Sequence, residues 1–81
     1  MSTGEAGALA SLLKGRGLAA TAPDESTVKV AVASRDGEFD VESGELLVRT
    51  IVDGVGFGPE RRVVIWGGLA ATADHIAKEM I

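Results

Sequence analysis

The stretch Arg61-Arg62-Val63-Val64-Ile65-Trp66-Gly67-Gly68 restricts the fold more than any other part of the chain. Its β-branched and aromatic residues favour a strand, and the glycine pair ends that strand just ahead of a helix. Side chains alternate across a sheet, so Val63 and Ile65 point one way, and Val64 and Trp66 the other. Neither set is polar. A sheet built on this strand carries apolar surface on both sides, and a single layer of helices can shield only one of them.

With 81 residues, the chain is one domain, residues 1–81, of a size at which a single core is barely self-sufficient. Packing, association or both must supply the rest. Cysteine is absent, which excludes a disulfide framework and thiolate metal sites and points to a reducing compartment. The longest apolar runs fall far short of the roughly 20 residues that span a bilayer. The first residues lack the charged and apolar regions of a signal peptide, and the expected location is cytoplasmic. A net charge of −4 and a pI near 4.8 argue against nucleic acid, whose phosphates favour clustered Lys and Arg.

Ser2-Thr3-Gly4-Glu5 fits a capping box. The helix behind it places Leu9, Leu12 and Leu13 on one stripe. Gly17 at the position after the C-cap sets Leu18 against Leu13, the apolar pair of a Schellman stop. Lys14 and Arg16 there complement the helix dipole. Ala19 to Thr27 reads as a loop. Val28, Val30 and Val32 then alternate with Lys29, Ala31 and Ala33 in a strand, and Arg35-Asp36-Gly37-Glu38 is an Asp-Gly turn signal. Phe39 to Val41 is either a short return strand or an irregular arm. Glu45 to Asp53 forms the next strand, and Asp53 to Glu60, with three glycines, is a mobile connection. After Gly68, Leu69, Ala73, Ile76, Ala77 and Met80 line one face of a last helix, capped by Gly68 or Thr72.

These elements predict an α+β fold of two layers: helix, three or four antiparallel strands, helix, with both helices on one sheet face. The other face then holds Ala31, Ala33, Leu47, Ile51 and either Val63/Ile65 or Val64/Trp66, with Lys29 and Arg49 at its margins. Apolar patches of several hundred Å² are unusual on monomers and mark interaction surfaces. The expected partner interface is Leu47, Ile51, Phe57, Val63, Ile65 and Trp66, used in a homodimer or against a larger protein. For Phe57 and Trp66 taken singly, the preferred reading is a core residue that folds back on its own chain, with contact to another chain as the alternative.

Chemistry-bearing residues are sparse. His75, the single histidine, has Glu79 at i+4 and Asp74 beside it, too few ligands for a metal. An Asp74–Lys78 pair on a solvated helix face explains that region. Catalysis by His75 requires a nucleophile brought close by the fold, and the spacing of Ser11, Ser26, Ser34 and Ser43 singles out none. Gly54-Val55-Gly56-Phe57-Gly58 precedes Pro59 and not a helix, so it lacks the geometry of a phosphate loop. Gly67-Gly68 does precede a helix, and with Arg61 or Arg62 it forms the alternative reading, a small-ligand or anion site. No cofactor is expected, and an interaction or regulatory module is preferred to an enzyme.

Two resemblances complete the reading. Val28 to Gly37 is similar to the first strand and turn of the iron–molybdenum cofactor-binding proteins of nitrogenase assembly, but Glu42-Ser43-Gly44 departs from their pattern, so no cofactor carries over. The leucine-bearing helix ending in Arg16-Gly17-Leu18, the strand and acidic Gly turn, the last strand reaching Trp66-Gly67, and the Ala-rich final helix together resemble small uncharacterised proteins of actinomycete type. That layout implies a single domain and transfers no activity and no site.

Overall fold

The computed structural model describes residues 4–32, 35–52 and 56–80. It contains α1 (Gly4–Gly15), β1 (Ala19–Thr21), β2 (Thr27–Val32), β3 (Arg35–Asp40), β4 (Glu45–Val52), β5 (Gly56–Val64) and α2 (Leu69–Met80). The strands form one antiparallel meander in chain order, so the fold is α+β. α1 packs over β1 and β2, and α2 over β3 and β4. One core lies between the layers, with Leu9, Leu13, Val28, Val30, Leu46, Ile76 and Met80 as its largest buried side chains.

The first helix ends as its sequence predicts. Gly17 takes φ +89°, Leu18 N–H donates to the Leu13 carbonyl at 3.2 Å and Gly17 N–H to that of Lys14 at 3.0 Å. This is the Schellman pattern, and both leucines are buried. The expected cap at Ser2 lies outside the described residues.

The sheet has five strands where three or four were expected, because two segments read as turn or loop are paired. Ala19, Ala20 and Thr21 align with Ala31, Val30 and Lys29. Ala20 is buried, so packing under α1 and pairing with β2 outweigh a weak local preference for strand. Arg35-Asp36-Gly37-Glu38 is not a turn but the first four of the six residues of β3. Val32 aligns with Arg35, so the connection is positions 33–34, outside the described residues. Gly37 is small for a tertiary reason. A Cβ there would lie 2.9 Å from Met80 Sδ and 3.2 Å from Val30 Cγ2, so the end of α2 packs on bare backbone.

The glycine-rich connection is also shorter than expected, since β5 already begins at Gly56. Arg49 aligns with Glu60 and Ile51 with Phe57. Two steps along β4 therefore match three along β5. The extra residue is a bulge at Gly58-Pro59, where proline removes a ladder donor.

β3 overturns the expected apolar outer face. Alternation sends Gly37 and Phe39 toward the helices and Asp36, Glu38 and Asp40 outward. In register, Lys29, Glu38, Leu47 and Arg62 form one row across the open face, and Ala31, Asp36, Arg49 and Glu60 the next. Arg49 bridges to Asp36 at 3.4 Å and Arg62 to Glu45 at 3.6 Å. Among the described residues the face is a lattice of alternating charge, interrupted by Ala31, Leu47 and Ile51, because its central strand is acidic.

Candidate functional site

The two apolar sets of the last strand separate cleanly. Val63 is half-buried against the core and Ile65 is 3 % exposed within it. Ile65 thus belongs to the interior and offers nothing to a partner. Val64 is 52 % exposed and Trp66 75 %, while Leu47 and Ile51 are half-exposed on the open face. Phe57 aligns with Ile51, and its side chain lies outside what the structure describes. The five expected interface residues whose side chains the structure describes are therefore scattered over core, open face and one end of the sheet.

What holds Trp66 outward is the β3–β4 turn. The Asp40 carboxylate accepts the Glu42 N–H at 2.9 Å and the Ser43 N–H at 3.4 Å, and the Asp40 carbonyl accepts the Gly44 N–H at 2.8 Å. Gly44 has φ +75°, a region that favours glycine. Its carbonyl accepts the Ile65 N–H at 2.7 Å. A Cβ on Gly44 would meet the Ile65 carbonyl oxygen at 2.8 Å, and the Trp66 ring begins 3.5 Å from the same point. The indole leans on the turn backbone and leaves most of its surface in solvent. Gly67, at φ +131°, then redirects the chain. Gly68 is the N-cap of α2, its carbonyl accepting the Thr72 N–H at 2.9 Å.

Beside Trp66 lies a cleft of about 110 Å³. Leu9, Phe39, Val41, Ile65 and Leu69 give it apolar walls, Thr72 and Glu5 contribute its polar side chains, and Gly44, Gly67 and Gly68 its backbone. Thr72 is the one buried polar residue among those described. The cleft is smaller than the roughly 300–1,000 Å³ of pockets that enclose small organic ligands. It has room for a side chain. Val64 and Trp66 signalled this place in the sequence, whereas Phe39, Val41, Gly44, Leu69 and Thr72 reach it from segments too far apart for any local pattern to join them.

Neither arginine of the alternative anion site lines this cleft. Arg61 pairs with Glu79 near the other end of α2, and Arg62 with Glu45. His75 lies 3.5 Å from Glu79, and Asp74 is engaged by Arg16 at 2.9 Å and Lys78 at 3.5 Å. Ser26 donates its hydroxyl to Asp24 at 3.2 Å, and Ser43 accepts the Glu45 N–H at 3.3 Å. These are turn and surface roles. Among the described residues no three His, Asp or Glu side chains gather as a metal site, and no helix is long and apolar enough to cross a membrane. One pKa departs from its ordinary range. Asp24, which accepts the Ser26 N–H, is held below the usual carboxylate value by that bond.

No family model, curated protein or solved structure matches the chain.

Proposed function

We propose that this chain is a small protein-interaction module whose contact surface is the Trp66 end of the sheet. The observation that carries the reading is the exposure of Trp66, 75 % in solvent although it is the chain's single tryptophan. An indole surrenders much apolar area to water when left exposed, and tryptophan is enriched among residues that anchor protein contacts. Val64 and Leu69 extend the apolar rim, and the neighbouring cleft gives an incoming side chain a seat. Leu47 and Ile51 sit among charges on the open face and serve as the margin of the surface. A sheet-on-sheet homodimer has less to support it than the sequence promised, because Asp36, Glu38 and Asp40 stand at the centre of that face. The cytoplasm remains the compartment proposed.

A photoreactive amino acid in place of Trp66, introduced in the chain's native cell, tests the proposal. Adducts with another protein are expected at position 66 and not at Lys78, which projects from the opposite end of α2. Equal labelling at both positions, or none at 66, would refute it.

A further inference from the structure

We infer that the partner presents a basic segment to the Trp66 end, an apolar side chain entering the cleft with Arg or Lys residues beside it. This rests on the reading of that end as the contact surface. What it adds is the partner's chemistry, and the argument is how the topology sorts charge.

The meander and the two helices bring a defined set of segments to this end. Glu5 and Leu69 line one cleft, so the first turns of both helices are there. Val41 N–H donates to the Ser26 carbonyl at 2.9 Å, which ties the loop before β2 to the β3–β4 turn. Asp40, Glu45 and Val64 align across the sheet's last row. Across these segments, residues 5–9, 22–27, 40–46 and 64–72, stand Glu5, Asp24, Glu25, Asp40, Glu42 and Glu45, with no Lys or Arg. Among the described residues the nearest cations are Lys29 and Arg62, two positions further in along their strands. Arg62 reaches Glu45 at 3.6 Å and offsets that one carboxylate, while Lys14, Arg16, Arg35 and Lys78 gather where the helices finish. The chain is thus strongly polarised from end to end.

Two helix N-termini add roughly half a positive charge each, too little to reverse the carboxylates. Glu5, in the first turn of α1, already offsets one of them. The Asp24 carboxylate stays ionised, being held by Ser26. Acidic groups around an exposed indole are matched by guanidinium or ammonium groups, which are attracted both by the carboxylates and by the ring face. Leu9, Val41, Ile65 and Leu69 take the apolar anchor, and Thr72 lines the same cleft. A second copy of this chain is the wrong occupant, since a two-fold contact at this end would set the carboxylates of both copies against each other.

A blocked hexapeptide alternating arginine and leucine is the probe, with Trp66 fluorescence as the readout because no other tryptophan contributes. Saturable binding is expected. It should weaken at least tenfold when arginine is replaced by citrulline, which keeps the shape and loses the charge, and weaken again as salt shrinks the Debye length from about 30 Å to about 3 Å. The double variant Glu25→Gln and Glu42→Gln, both exposed positions outside the helices, should bind the arginine peptide several-fold more weakly with an unchanged melting temperature. Equal binding of the citrulline peptide, or a tryptophan that does not respond to the arginine peptide, overturns the inference. So does a dimer of the free chain by light scattering that Trp66→Ala dissolves, or a fluorescence response to inorganic phosphate instead. If adducts form at position 66 while the arginine peptide fails, only the partner chemistry is wrong. If they do not form, the contact surface itself is wrong.

Discussion

The two faces of the sheet are built from the same strands and differ completely in what they carry. Toward the helices point Val28, Val30, Gly37, Phe39, Leu46 and Val48, all buried. Away from them point Lys29, Asp36, Glu38, Asp40, Arg49, Glu60 and Arg62, which neutralise one another across the strands. The bulky apolar residues that do not reach the core are placed mainly at one end, in Val64, Trp66 and Leu69. Leu12, on α1, is exposed separately. A small domain can therefore satisfy both sheet faces with two helices and still keep one apolar site in water. What water sees at that site is a decision of sequence and not a shortage of cover.

The largest effects expected from mutation lie on the covered face. Leu46→Ala should cost about 2–5 kcal/mol, the range for emptying a buried leucine site, whereas Leu47→Ala, its neighbour on the open face, should cost less than about 1 kcal/mol. Urea unfolding of the two variants compares the faces directly, and equal losses would abolish the distinction drawn here. Gly37→Val comes next, at about 1–3 kcal/mol for overpacking against Met80 and Val30. In a Met80→Ala background the same substitution should cost less, because the space it needs has been opened. A penalty unchanged by Met80→Ala would mean that Gly37 is required for its backbone and not for room.

Trp66→Ala should change stability by less than about 1 kcal/mol, the expectation for a mostly exposed side chain, while removing photoadducts at that end when the reactive group is moved to Val64. A loss comparable to that of Leu46→Ala would make Trp66 a core residue and remove the reason to propose a contact surface. The smallest effect is a pH dependence. The folded Asp24 carboxylate titrates below its ordinary value of 3.8, so its contribution is complete above that value and is lost as pH falls through the lower folded value. Asp24→Ala should lower the melting temperature slightly at neutral pH and not at all in strong acid. A difference that grows on acidification would reverse the assignment.

Local sequence was informative wherever a short-range pattern has a unique physical solution. Gly17 with Leu13 and Leu18 specifies a helix stop, and the Leu69, Ala73, Ile76, Ala77 and Met80 spacing specifies which face of α2 turns inward. On that face Leu69 is 36 % exposed and Thr72 takes a buried place. Asp36-Gly37 misled because a glycine demanded by tertiary packing has the same letter as one demanded by a turn. Read as a turn, Asp36-Gly37 leaves the three carboxylates of β3 off the open face, where the structure sets them among Ala31, Leu47 and Ile51. The proposed contact site was half legible: Trp66 stood out, but the turn that props it and the cleft beside it join both helices, β3, the β3–β4 turn and the segment after β5.

By itself the chain determined both helices, the strands β2 and β4, the α+β class, the end of the first helix and the apolar inward stripes, because these follow from periodicity and capping within a few residues. Which of Val63/Ile65 and Val64/Trp66 would be hidden was left open by alternation alone, since either choice obeys it. The tertiary structure decided it. Ile65 donates its N–H to Gly44 and closes the core, and Trp66, one residue on, has only one side to lean against and turns the other to water.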